Sequence, residues 1–117
     1  MPGERALPRC QIEKEVIMQN EKAVKTQVKK IIGTAPTTWW FMPPANGYGR
    51  SGIPDFIGCV KGQMFAIETK SGAGQLTANQ MREVELLMRA GCKVWIVREA
   101  SLSTFELEFN AWVALCS

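Results

Sequence analysis

The stretch "SGIPDFIGCVKGQMFAIETKSG" occupies residues 51–72 and decides how the rest of the chain is read. Two runs of β-prone residues flank Lys61-Gly62, the pattern of a hairpin with a two-residue turn, although Lys-Gly is a weaker turn signal than Asn-Gly. If Val60 pairs with Gln63, the ladder runs outward until Asp55 stands directly opposite Glu68. Opposed residues of an antiparallel pair have Cβ atoms about 4.5–5.5 Å apart. Lys70, two positions beyond Glu68, points to the same face, and Thr69 points away from it. Two carboxylates and an ammonium thus converge at the open end of one hairpin. Gly58, inside the first run, is where a bulge would break this register.

Two carboxylates that close repel, and more strongly in a low dielectric. The arrangement makes sense with a cation between them, and oxygen donors without nitrogen or sulfur suit Mg²⁺ or Mn²⁺. The competing reading is a solvated Asp55 at a strand start, ion-paired to Lys70.

Composition narrows the chemistry. The 117 residues suffice for one domain, with 46% hydrophobic and 21% charged residues, as in ordinary globular proteins. A net charge of +3 permits a polyanionic partner without requiring one. The chain contains no histidine, which removes Ser-His and Cys-His nucleophile systems, histidine-metal nucleases and most zinc enzymes. Cys10, Cys59, Cys92 and Cys116 lack C-x-x-C spacing and read as reduced thiols of a cytoplasmic protein, with Cys59 and Cys92 in the core. No apolar run approaches the roughly 20 residues of a membrane span. The N-terminus lacks a hydrophobic signal region.

Away from the hairpin, residues 1–17 read as a flexible extension, with Met18 as an alternative start, and residues 18–117 as a single domain. A helix is expected from about Ile12 or Gln19 to Ile32, with Ile17, Val24, Val28 and Ile31 as its apolar stripe, ended by Gly33 and Pro36. "TTWWFM" (37–42) reads as a strand whose adjacent indoles, Trp39 and Trp40, face opposite ways, and "PPANGYGRSGIP" (43–54) as a loop. A second helix, capped by Thr77 and stopped by Gly91, is expected to bury Met81, Val84, Leu87 and Met88. "KVWIV" (93–97) reads as a central strand, and "STFELEF" (103–109) as an edge strand or the lead into a short terminal helix. The order α-β-β-β-α-β predicts an α/β fold: a mixed sheet flanked by helices.

Pro54-Asp55, twelve residues, then Glu68-Thr69-Lys70 resembles the PD-(D/E)XK nuclease signature. A closer resemblance is to the VRR-NUC (virus-type replication-repair nuclease) family. It runs through "NEKAVKTQVKKIIG", "GRSGIPDFI", "FAIETKSGAGQLTANQ" and "AGCKVWIV", about residues 20–98. Thr69 stands where an apolar residue is usual, and little consequence is expected because it faces away from the site. The resemblance implies a restriction-endonuclease-like core and a Mg²⁺- or Mn²⁺-dependent endonuclease. Asp55, Glu68 and the main-chain carbonyl of Thr69 would hold the metal, and Lys70 would orient the attacking water or stabilise charge.

The family's first helix contributes an acidic residue. Glu21 matches best, since it lies on the apolar stripe where a carboxylate needs a partner; Glu15 is the runner-up, and a surface glutamate the alternative. Gln80 matches a functional glutamine, yet Thr77-Ala78-Asn79-Gln80 is also a T-x-x-Q capping box. Tyr48, Arg50, Lys22, Lys25 and Lys29 are expected at phosphates. The substrate class implied is DNA, with branched forms such as Holliday junctions as candidates, in a viral or prophage repair setting. Symmetric cuts would call for a homodimer, with the spare indole, "TFELEF" and "AWVALC" as interface material. The alternatives are a non-catalytic DNA-binding or assembly module of the same fold, and an RNA-cleaving enzyme.

Overall fold

Lys61 and Gly62 both adopt the left-handed backbone conformation, with φ of 47° and 83°. That is the twist a two-residue type I′ turn requires, and it fixes the register of the strands on either side. A computed structural model describes the backbone of residues 9–44 and 49–117, and the side chains of these from Asn20 onward. Its elements are α1 (Arg9–Thr34), β1 (Thr38–Phe41), β2 (Phe56–Val60), β3 (Gln63–Thr69), α2 (Ala78–Arg89), β4 (Lys93–Val97) and α3 (Leu102–Leu115), with a short 3₁₀ turn at Glu99–Ser101.

The sheet order is β1-β2-β3-β4, antiparallel except for the β3–β4 pair, which is parallel. Val60 faces Gln63 and Phe56 faces Ile67 with no interruption, so Gly58 introduces no bulge. Its role is steric. A Cβ there would overlap the Phe65 ring and lie 2.7 Å from the Trp39 carbonyl oxygen. The ring that lies over Gly58 stacks edge-on against Phe109 and Trp112 of α3. This face of the sheet carries the main core, where Val24, Val28 and Ile32 of α1 meet Phe56, Ile67, Trp95, Phe105 and Phe109. α2 packs against β4.

Five expectations are corrected. α1 begins at Arg9 rather than within 12–19. No glycine or proline interrupts residues 9–32, and most of them are good helix formers. Ile32 rather than Ile31 is its fully buried terminal residue, and Ile17 lies outside the described side chains. β4 is an edge strand, apolar because α2 and α3 both pack against it.

"STFELEF" lies within α3, not an edge strand. Phe105 and Phe109 fit a period of 2 and a period of 3.6 equally well. Leu107 separates the two, and it is 74% exposed. In α2 the inward face is turned away from the methionines: Met81 and Met88 are 58% and 61% exposed, whereas Glu83 is buried. Cys92 is buried as expected, and Cys59 only half so.

Gly58→Ala is expected to destabilise the fold by about 1–3 kcal/mol, the usual cost of overpacking. Gly33→Ala, in open space at the end of α1, should be neutral or stabilising by up to about 1 kcal/mol. Urea unfolding of the two variants checks the contrast.

Candidate active site

Asp55 precedes the first residue of β2, so the ladder does not hold its side chain. Two donors hold it instead: Oδ2 accepts from the Thr69 amide at 2.9 Å and from the Thr69 hydroxyl at 2.6 Å. The expectation that Thr69 faces away without consequence is therefore corrected. Alternation puts Thr69 opposite to Glu68, but the unpaired end of the hairpin lets the Asp55 carboxylate reach across to it. The other oxygen, Oδ1, faces Lys25 Nζ of α1 at 3.7 Å. The cation at Asp55 is thus Lys25 and not Lys70.

Glu68, on β3, is 3% exposed. Its Oε1 accepts from Gln80 Nε2 at 3.1 Å, and no protein donor reaches its buried Oε2. Burial pushes its pKa from 4.5 up to about 8; the neighbouring Asp55 charge and hydrogen bond add to this, while Lys70 and Lys25 act in the opposite direction. Lys70, half-buried at the same mouth, acts on Glu68 through its charge.

Gln80 closes the capping box and reaches Glu68 in one conformation. Its Oε1 accepts from the Thr77 amide at 2.9 Å and the Thr77 hydroxyl accepts from the Gln80 amide at 3.1 Å, completing the capping box. With Oε1 committed to the cap, Nε2 is the end presented to Glu68. The cap that starts α2 thereby orients the amide.

The loop leading into Asp55 is clamped to α2. Arg50 Nε and Nη2 both reach Glu83 Oε1, at 3.0 and 2.9 Å, and Asn79 Nδ2 donates to Ser51 Oγ at 2.9 Å. Gly52, with φ of 86°, passes so close to α2 that a Cβ would lie 2.7 Å from the Gln80 nitrogen. Arg50 is therefore paired to Glu83 rather than free for a phosphate.

Sequence reasoning missed Glu83. Its signal was the inward row Gln80, Glu83, Val84 and Leu87 at helical spacing, outweighed by the greater hydrophobicity of Met81 and Met88. It also missed Arg98, whose Nη1 donates to the Gly72 and Gly74 carbonyls at 3.1 and 2.6 Å and holds the chain just after Lys70.

Lys22 and Lys29 are exposed on the flank of α1 that carries Lys25. Glu21 is half-buried one turn before Lys25, and among the described residues no three acidic, histidine or cysteine side chains gather closely enough to hold an ion. The structure thus pairs Asp55 with Glu68 and does not bring Glu21 to them. Tyr48 and the Glu15 side chain lie outside the described residues.

A hairpin with paired carboxylates at its mouth, a parallel fourth strand and flanking helices define a restriction-endonuclease-like α/β domain. Among solved structures, the chain resembles one described as a VRR_NUC domain, with a TM-score of 0.65 and 20% identity over 77% of this chain and 97% of that one. The likeness bears out the fold implied by the sequence resemblance. Compared by sequence, no family profile and no curated protein matches. Among the described residues, no helix is long and apolar enough to cross a membrane.

The raised Glu68 pKa has a thermodynamic consequence. Between pH 4.5 and about 8 the unfolded chain has ionised this group while the folded chain still holds its proton, so folding stability falls as pH rises through that window. Below pH 4.5 both states are neutral at this group. In EDTA, the melting temperature of Glu68→Gln should fall less steeply than wild type across the window; parallel curves would show that Glu68 is already ionised.

Proposed function

We propose that this chain is a divalent-metal-dependent endonuclease that hydrolyses phosphodiester bonds in DNA. The observation that supports this most directly is the buried Oε2 of Glu68, which no protein donor reaches, beside the Asp55 carboxylate. Each carboxylate has one oxygen hydrogen-bonded by the protein, through Thr69 and Gln80; of the other two, Asp55 Oδ1 faces Lys25 at 3.7 Å and Glu68 Oε2 receives no donor. Asp55 Oδ1, Glu68 Oε2 and the main-chain carbonyl of Thr69 would hold Mg²⁺ or Mn²⁺, a hard-oxygen set suited to those ions. When bound, such an ion lowers the pKa of a coordinated water and offsets charge on the phosphate. Lys70 supplies a fixed positive charge at the same mouth, Gln80 holds Glu68 in place, and Lys22 and Lys29 meet backbone phosphates.

Labelled junction, flap, duplex, single-stranded DNA and RNA substrates, incubated with Mg²⁺, Mn²⁺ or EDTA, test the reading. Cleavage should require the metal. Asp55→Asn and Glu68→Gln should each lower it by more than about a hundredfold, beyond the usual cost of losing an outer-shell partner. Undiminished activity in excess EDTA would refute the mechanism.

We also propose that two copies pair to cut both strands of a branched substrate. The supporting feature is the sheet face away from α1 and α3. Trp39, Cys59 and Met64 align directly across β1, β2 and β3. Trp39 is 64% exposed and Phe41, whose ring lies 5.5 Å from that indole, is also exposed. "AWVALC" contributes less than expected, since Trp112 and Cys116 pack on the core. Light scattering should give a dimer, with about 1,200–2,000 Å² buried in total. Trp39→Ser with Met64→Ser should yield a folded monomer. A monomeric wild type would redirect the reading to flap or nick processing by one site.

A further inference from the structure

Lys25 occupies a position that neither a phosphate-binding surface lysine nor a structural ion pair fully explains. Its neighbours on the same flank of α1, Lys22 and Lys29, are exposed, whereas Lys25 is half-buried and turned to Asp55. The oxygen it faces is Oδ1. Oδ2 already receives two donors from Thr69, so Oδ1 is the Asp55 oxygen left for a metal. An ammonium and a divalent ion at one oxygen repel. The Lys25 side chain is 35% exposed, and its four-carbon stem can carry the charge outward to solvent without unpacking the core.

We infer that Lys25 and the divalent ion compete for Asp55 Oδ1, and that the ion's arrival releases the ammonium toward the DNA backbone. The inference rests on the metal site proposed above and deepens it. Lys25 holds the Asp55 carboxylate in place until an ion replaces it, which makes it a positioning residue. Once displaced, it joins Lys22 and Lys29 in a row of three cations along one helix flank. Metal and DNA binding are then reciprocally coupled: each draws Lys25 away from the state that opposes the other. A lysine suits this role because its charge is compact and its stem mobile, whereas an arginine would grip the carboxylate in a two-pronged pair.

The test is Mn²⁺ titration by calorimetry of the full chain without DNA, for wild type, Lys25→Met, Lys25→Gln, Lys22→Met and Asp55→Asn, each checked for folding by circular dichroism. Both Lys25 variants should bind Mn²⁺ at least about fivefold tighter than wild type, the lower end of ordinary coupling between two sites. Lys22→Met should match wild type, and Asp55→Asn should lose binding. In a companion measurement, fluorescence anisotropy of a labelled duplex with and without Ca²⁺, the cation should tighten DNA binding by wild type more than by Lys25→Met. Mn²⁺ affinity that is unchanged or weaker in both Lys25 variants, alongside clear wild-type binding and loss in Asp55→Asn, would overturn the competition and leave the metal site standing. No Mn²⁺ binding by any form would overturn the metal site, and the competition with it.

Discussion

A buried carboxylate oxygen that no donor reaches is among the more costly groups a small domain can keep ionised, and Glu68 carries one. The fold is organised around holding it there. β3 is paired on both edges, antiparallel to β2 and parallel to β4, and its last five residues are all buried. A side chain at the end of such a strand cannot swing to water as one on an edge strand could. The adjacent Asp55 makes the position worse, since both its charge and its hydrogen bond favour the protonated form of Glu68.

Two helices and two loops reach this position through short chains of contacts. α1 reaches Asp55 by Lys25, and α2 reaches Glu68 by Gln80, whose orientation depends on the Thr77 cap. The entering loop is held to α2 by Arg50, Ser51 and Gly52. The leaving loop is held by Arg98 and by Glu99, which accepts from the Gly72 amide at 2.9 Å. The two helices that carry these groups lie on different sides of the hairpin, so the site is a junction between layers rather than a pocket within one. Packing of α1 on the main core, through Val24 and Val28, therefore positions Lys25 beside the carboxylates as a by-product of burial.

The hairpin and its carboxylate pair were legible because two local signals agreed. Turn residues at Lys61-Gly62 and period-2 runs on either side allow only one register that keeps Phe56, Phe65 and Ile67 inside. The helix faces were less legible because hydrophobicity alone did not decide them. In α2 an inward Glu83 is stable only because Arg50, 33 residues earlier, comes to meet it, and no local pattern announces so distant a partner. In α3 the spacing of Phe105 and Phe109 served two periods at once. Thr69 was misjudged for a third reason: alternation assigns faces within a ladder, whereas Asp55 lies just beyond its end.

The charges at the mouth show why lysines alone do not complete the site. Asp55 and Glu68 face Lys25 and Lys70, so a count of formal charges would balance with both carboxylates ionised. Yet Glu68 keeps its proton up to about pH 8, and the largest cause is burial, ahead of any neighbouring charge. Water lost from a carboxylate is replaced only by groups that come within bonding distance. Lys25 stands at 3.7 Å from the more accessible Asp55, with its own side chain partly in solvent. It offsets charge but does not replace the lost hydration of Glu68 Oε2. A small ion that binds oxygens at about 2 Å does both at once, which is why the donor set around Glu68 and Asp55 is better matched to a metal than to the ammonium groups beside it.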